Sequence, residues 1–195
     1  MIYLHNQQQI FIHITKTGGE SVLEALKAKG KRHTPVSVIL DQQEQKRYTD
    51  ILNLFKSENF VPENYLIKIR SNWHKPKFAF VRNPYARVVS DYTYNVKKGI
   101  EDKSFEERVR IIAEGDCDLW KWSQVRWLSY KNIIHADKIY KLESDIKVFE
   151  NDFDVEFPHI NQSSTKPYQE FYNDKTRRFV ELVYADDFRE FSYEF

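Results

Sequence analysis

A short apolar run, a loop of anion-binding residue types and a helix follow one another twice in this chain, and that order leaves few folds open. The first copy is Ile10-Phe11-Ile12-His13-Ile14, then Thr15-Lys16-Thr17-Gly18-Gly19, then a helix predicted over residues 20–29, with Val22, Leu23 and Leu26 on one side and Gly30 as its stop. The second is Lys77-Phe78-Ala79-Phe80-Val81 running into Arg82-Asn83-Pro84, where asparagine caps a helix and proline opens it. That helix is predicted to reach about residue 98 and to end at Gly99. Parallel strands need a long crossover between them, usually a helix, so strands alternating with helices select an α/β fold with a mainly parallel sheet.

The remaining punctuation fits the same plan. Thr34-Pro35 reads as an N-cap followed by proline at the first helical position, and residues 41–60 are polar with a mostly helical pattern. Ser104-Phe105-Glu106-Glu107 has capping-box spacing ahead of a helix expected to contain Trp120, Gln124 and Trp127. A third strand is predicted at residues 138–142, a polar loop at 161–167 and a closing helix at 175–184. The two tryptophans, seven positions apart, are expected to pack in the core.

Composition excludes several classes of function. With 195 residues the chain fits a single domain, residues 1–195. Thirty basic against 29 acidic side chains leave a formal charge of +1, so nothing in the balance calls for nucleic acid or an anionic membrane, and any anion site must be local. The lone Cys117 has no internal disulfide partner, and no cysteine and histidine cluster has the spacing of a zinc site. The first residues lack the basic start and apolar stretch of a signal peptide, and no apolar run approaches the ~20 residues a bilayer needs. The expectation is a cytoplasmic protein without a membrane partner; oligomeric state is open.

The first loop is not a Walker A motif, because Lys16 precedes Gly18-Gly19 instead of following the glycines. The stretch Ile12-His13-Ile14-Thr15-Lys16-Thr17-Gly18-Gly19-Glu20-Ser21 resembles the 5'-phosphosulfate loop of sulfotransferases that use 3'-phosphoadenosine 5'-phosphosulfate (PAPS), in particular the carbohydrate-type, family 2-like branch and its small bacterial-type members. The stretch Phe78-Ala79-Phe80-Val81-Arg82-Asn83-Pro84-Tyr85-Ala86-Arg87-Val88-Val89-Ser90 is similar to that family's 3'-phosphate segment, with Arg82 and Ser90 eight positions apart as in the motif. Weaker likeness continues through Trp122-Ser123-Gln124, Tyr140-Lys141-Leu142-Glu143, His159-Ile160-Asn161-Gln162-Ser163 and the stretch from Asp187 to Tyr193.

The resemblance implies a P-loop-like three-layer α/β fold, its sheet flanked by helices, a PAPS donor, no obligatory metal, and a small-molecule or carbohydrate acceptor. It also implies donor contacts from Lys16, Thr17, Gly18, Gly19, the backbone of Glu20, Ser21, Arg82, Ser90 and Lys166. Glycines let backbone amides approach a phosphate, hydroxyls add bonds, and an arginine fork suits a phosphate's oxygens.

Two positions need separate treatment. Glu20 replaces a hydroxyl residue, and a carboxylate about 6 Å from the donor's charge would repel it by roughly 3 kcal/mol at an effective dielectric of about 20, so its side chain is expected to point away. Sulfuryl transfer also needs a base for the acceptor hydroxyl and positive charge at the leaving phosphate; His33 and Lys16 are the candidates, with His74 in reserve because it precedes the second strand. His13 reads as structural. The competing functions are a weakened module that binds adenosine 3',5'-bisphosphate, motivated by Glu20, and a P-loop-type small-molecule kinase.

Overall fold

The computed structural model describes residues 1–29, 33–41, 43, 45–46, 63–114, 122–158, 160 and 166–195. Most of the helix predicted over 41–60 lies outside these residues, as do Gly30, Trp120, His159 and the segment 161–165.

Six strands are present among the described residues: β1 (Ile2–Leu4), β2 (Gln9–Ile12), β3 (Lys77–Val81), β4 (Ser129–Tyr130), β5 (Ile133–Ile134) and β6 (Lys138–Lys141). β1, β2, β3 and β6 form one sheet in that order, and β4 with β5 makes a separate hairpin. β2 runs parallel to β3, pairing Ile12 with Ala79, and β3 runs parallel to β6, pairing Val81 with Lys141; β1 is antiparallel to β2. The sheet is therefore mainly parallel, in a mixed α/β chain. The central β3 is buried from Phe78 to Val81, as expected of a strand covered on both faces, whereas the edge strand β6 buries only Tyr140.

Contacts group the chain into two compact units, Met1–Val81 with Arg126–Pro158, and Arg82–Val125 with His159–Phe195. The first holds the sheet. Its core joins Phe11, Phe78, Phe80 and Tyr140 to Val22, Leu23 and Leu26 of the first helix, and to Phe149 of a later one. Aromatic rings meet closely there, with Phe11 and Phe78 stacked at 5.1 Å and Phe80 and Phe149 edge to face at 5.0 Å. At the amino edge, the Lys77 N–H donates to the Asp137 carboxylate at 2.7 Å and the Lys77 ammonium pairs with the same group, pinning β3 to the start of β6.

The helices of this unit are α1 (Gly19–Ala25), α2 (Val36–Leu40), α3 (Glu63–Ser71) and, near its end, Ile146–Phe153. α1 stops before Gly30. Lys27 takes a left-handed φ of 50°, its N–H bonds to the Glu24 carbonyl at 3.0 Å, and the Ala28 N–H reaches Leu23 at 2.8 Å, which is a Schellman turn built on a lysine. α2 also starts later than expected: Pro35 is its N-cap and the Thr34 hydroxyl, fully buried, caps nothing.

The second unit is built on α4 (Pro84–Lys97), α5 (Phe105–Ala113), a 3-10 turn at Tyr168–Phe171 and two helices at Asp174–Val183 and Ala185–Phe191. Asn83 accepts the Tyr85 N–H at 3.0 Å with Pro84 in the first turn, and Ser104 and Glu107 form the reciprocal capping box. Gly99 has a φ of 67°, and α4 ends there. The helix expected to run from Ser104 past Trp127 is instead two elements: α5 ends at Ala113, and α6 (Gln124–Leu128) is a separate short helix with Trp127 buried. The closing helix predicted at 175–184 is found at Asp174–Val183, and a further helix, Ala185–Phe191, follows it after Tyr184, which is buried in the core of this unit with Tyr85, Val88 and Val180.

Candidate functional site

The parallel register brings β2 and β3 to an end at the same carboxyl edge of the sheet, and each of the two motif segments leaves from one of those ends. After β2 the chain turns through Lys16, whose φ of 64° lies in the left-handed region, and Gly18, whose φ is 76°. A left-handed lysine costs roughly 1–2 kcal/mol, and strain of this kind gathers where the surroundings hold a loop in one shape for use. The Thr17 hydroxyl, fully buried, donates to the Ile14 carbonyl at 3.1 Å and closes the loop on itself. Gly18 is the N-cap of α1, Gly19 and Ser21 are buried in its first turn, and Glu20 between them is exposed.

Gly19 has a steric cause of its own. A Cβ there would lie 1.9 Å from His13 Nε2, so the imidazole occupies the space that any other residue would need. His13 sits on Phe11, with rings 5.2 Å apart, and against His33, with rings 4.0 Å apart. Burial, then the neighbouring His33 and the N-terminal ammonium, push its pKa well below the ordinary value, so the ring is neutral at pH 7.

His33 Nδ1 lies 3.1 Å from the His13 carbonyl oxygen. A neutral imidazole that donates Nδ1–H to that carbonyl carries its lone pair on Nε2, the tautomer suited to taking a proton. His33 is thereby placed beside the residue that leads out of β2, at the carboxyl edge, while His74 lies in the turn before β3, toward the amino edge. The Nδ1 of His13 and the hydroxyl of Thr34 are buried without a hydrogen-bond partner, and these two residues flank His33 in space and in sequence.

Arg82 follows β3 directly and is half-buried. Its backbone is gripped by one side chain: the Arg82 N–H donates to Gln124 Oε1 at 2.8 Å, and Gln124 Nε2 donates to the Arg82 carbonyl at 2.8 Å. Gln124 in turn is bonded through both its side chain and its backbone to the buried Asp187. Burial raises the Asp187 pKa, opposed by the charge of Arg87 and by hydrogen bonds from Gln124 and Val125. Arg87, itself buried, donates to the Trp122 carbonyl at 2.8 Å. Ser90 is buried further along α4, and Lys166 is exposed just before the 3-10 turn.

The loop and His33 thus assemble in one compact unit, and Arg82, Ser90 and Lys166 belong to the other. Sequence reading attached no role to Gln124 and Asp187, although both fall in stretches with family likeness; they are 63 positions apart, and no local spacing reveals such a pair. The donor set contains a lysine, an arginine, hydroxyls and main-chain amides, which is the chemistry of phosphate and sulfate recognition. Two orphaned buried polar atoms beside His33 fit a place where a ligand or water completes the bonding. Each unit thus carries residue types suited to an anionic group, Lys16 and its loop in one, Arg82 and Ser90 in the other.

Among the described residues no cluster of three histidine, cysteine or acidic side chains is arranged to hold a metal, and no helix is long and apolar enough to cross a membrane. Compared with known proteins, residues 1–194 match the family model described as Sulfotransferase family. No curated protein and no solved structure matches the chain.

Proposed function

Because this chain belongs to the sulfotransferase family, we propose that it moves a sulfuryl group from PAPS to an acceptor hydroxyl, with a carbohydrate hydroxyl as the acceptor class the resemblance favours. The observation that carries the reading is the register of β2 and β3, which ends the two motif-bearing strands side by side at one sheet edge. When bound, PAPS supplies an activated sulfuryl group on a phosphate leaving group.

The protein's part is to hold, charge and deprotonate. Lys16 places its ammonium where negative charge develops on the leaving phosphate, and the Thr17-Gly18-Gly19 turn with the Glu20 backbone and Ser21 offers amides and a hydroxyl to the same end. The exposure of Glu20 supports a carboxylate held in water, away from the donor's charge. Arg82 and Ser90 take the 3'-phosphate, and Lys166 reaches toward the nucleotide. His33, held through Nδ1 at the His13 carbonyl, accepts the acceptor hydroxyl's proton at Nε2. The single cysteine suits a cytoplasmic setting.

A calorimetric titration tests the reading. Adenosine 3',5'-bisphosphate binds the wild type, Arg82→Ala binds it at least tenfold more weakly, and ATP with magnesium competes poorly. Preference for ATP with magnesium would indicate a kinase instead, and bisphosphate binding without transfer of labelled sulfate to any hydroxyl acceptor would indicate a binding module.

A further inference from the structure

Gln124 and Asp187 form a buried polar pair inside a core, where two apolar residues would fill the space without desolvating a carboxylate. What the pair does is specific. A primary amide carries a donor and an acceptor side by side, so it can satisfy both the N–H and the C=O of a single residue, and Gln124 does this for Arg82. The second hydrogen on Nε2 goes to Asp187 Oδ2 at 3.2 Å. Asp187 Oδ2 accepts there, so the nitrogen end of the amide faces the carboxyl group and Oε1 faces the Arg82 N–H. Asp187 also accepts the backbone N–H groups of Gln124 at 2.9 Å and Val125 at 2.8 Å, so the amide's own main chain is anchored to the same group.

We infer that Gln124, oriented by Asp187, is a positioning residue that sets the Arg82 backbone so that its guanidinium meets the 3'-phosphate of the donor nucleotide. The inference rests on the functional reading above and deepens it. β3 pairs with β6 through its last residue, Val81 opposite Lys141, and Arg82 is the first residue past that strand, where Gln124 takes up both its N–H and its C=O. A guanidinium fork discriminates phosphate geometry only if its base is held to within a fraction of an ångström, which the amide clamp provides.

The test uses volume-conserving variants. In Gln124→Glu the carboxylate retains the acceptor for the Arg82 N–H but loses the donor, and in Asp187→Asn one acceptor becomes a donor facing N–H groups. Each is titrated with adenosine 3',5'-bisphosphate and with adenosine 5'-monophosphate, which lacks the 3'-phosphate, in wild-type and Arg82→Ala backgrounds, with thermal unfolding measured alongside. Both variants are expected to bind the bisphosphate about tenfold more weakly and the monophosphate within about twofold of wild type. In the Arg82→Ala background neither is expected to weaken bisphosphate binding further, although the drop in melting temperature persists. Equal losses on both nucleotides, or the same loss without Arg82, would overturn the positioning role, as would failure of both variants to fold. Failure of the functional reading looks different: wild type and Arg82→Ala would then bind the bisphosphate and the monophosphate alike, and the inference would fall with it.

Discussion

Gly19 is kept a glycine by its neighbour His13. The imidazole of His13 leaves 1.9 Å to a Cβ at that position, a contact with a ring fixed between Phe11 and His33. Gly19→Ala is expected to destabilise by about 1–3 kcal/mol, the usual cost of overpacking, read as a lower urea midpoint with an unchanged slope. Gly18→Ala differs in kind: the new methyl meets the far end of Leu142 at 2.8 Å, which can move, but the φ of 76° adds a backbone cost of roughly 1–2 kcal/mol. A double variant that relieves the first clash, Gly19→Ala with His13→Ser, is expected to recover stability relative to Gly19→Ala alone; no recovery would mean the glycine serves something other than the ring. His33 invites the complementary experiment on function. His33→Ala is expected to keep bisphosphate affinity and lose turnover by roughly 10²- to 10⁴-fold, whereas His74→Ala, placed before β3, keeps both. The opposite pattern in a sulfate-transfer assay would exchange their roles.

At the scale of elements, the segments legible in the sequence are those whose ends are written in local chemistry. β3 agrees with its predicted bounds residue for residue and α4 to within about one residue, because Asn83, Pro84 and Gly99 mark the helix boundaries, and the Ser104 to Glu107 box does the same for the start of α5. What escaped depends on distant partners or on rare backbone. β1 is three residues long and exists because Phe11 and Gln9 pair with it. α1 ends on a left-handed lysine, for which no propensity gives warning. Thr34 looked like a cap, yet its hydroxyl is buried and Pro35 takes that place. The loop residues of the candidate site stand out in the sequence for the same local reason as β3; the Gln124 and Asp187 pair does not, since only tertiary folding joins it. Caps also permit a graded prediction. Asn83 caps α4 and its amide donates to the Glu194 carbonyl at 2.7 Å, both within one compact unit, while the Ser104 box is exposed. Asn83→Ala should therefore cost about 2–3 kcal/mol and Ser104→Ala about 1 kcal/mol in urea unfolding. Equal costs would show that burial adds nothing to the cap.

For the whole molecule, a proton-linked contribution to stability follows from His13. Its pKa in the folded chain is depressed from the ordinary 6.5, by burial first, then by His33 and the N-terminal ammonium. The unfolded chain therefore binds a proton near pH 6.5 that the folded chain refuses. Stability from keeping this ring neutral is complete above that pH and is lost progressively as pH falls from 6.5 toward the folded value, at up to about 1.4 kcal/mol per pH unit. Carboxylates of ordinary or lowered pKa add their own acid loss mostly below pH 5, and Asp187, which burial shifts upward, is common to the wild type and a His13 variant, so their difference between about pH 5 and 6.5 reports on His13. His13→Asn removes the titration while keeping a polar group; it is expected to be less stable at pH 8 and to show a flatter dependence of unfolding free energy on pH across that interval. Because the loop that carries Lys16 closes against the same ring through Gly19, the wild type is also expected to lose bisphosphate affinity with falling pH once His13 protonates, and the variant to lose less. Parallel stability curves for the two proteins would mean that the imidazole takes up its proton in the folded state as readily as in the unfolded one, and that its neutral form contributes nothing to holding the loop.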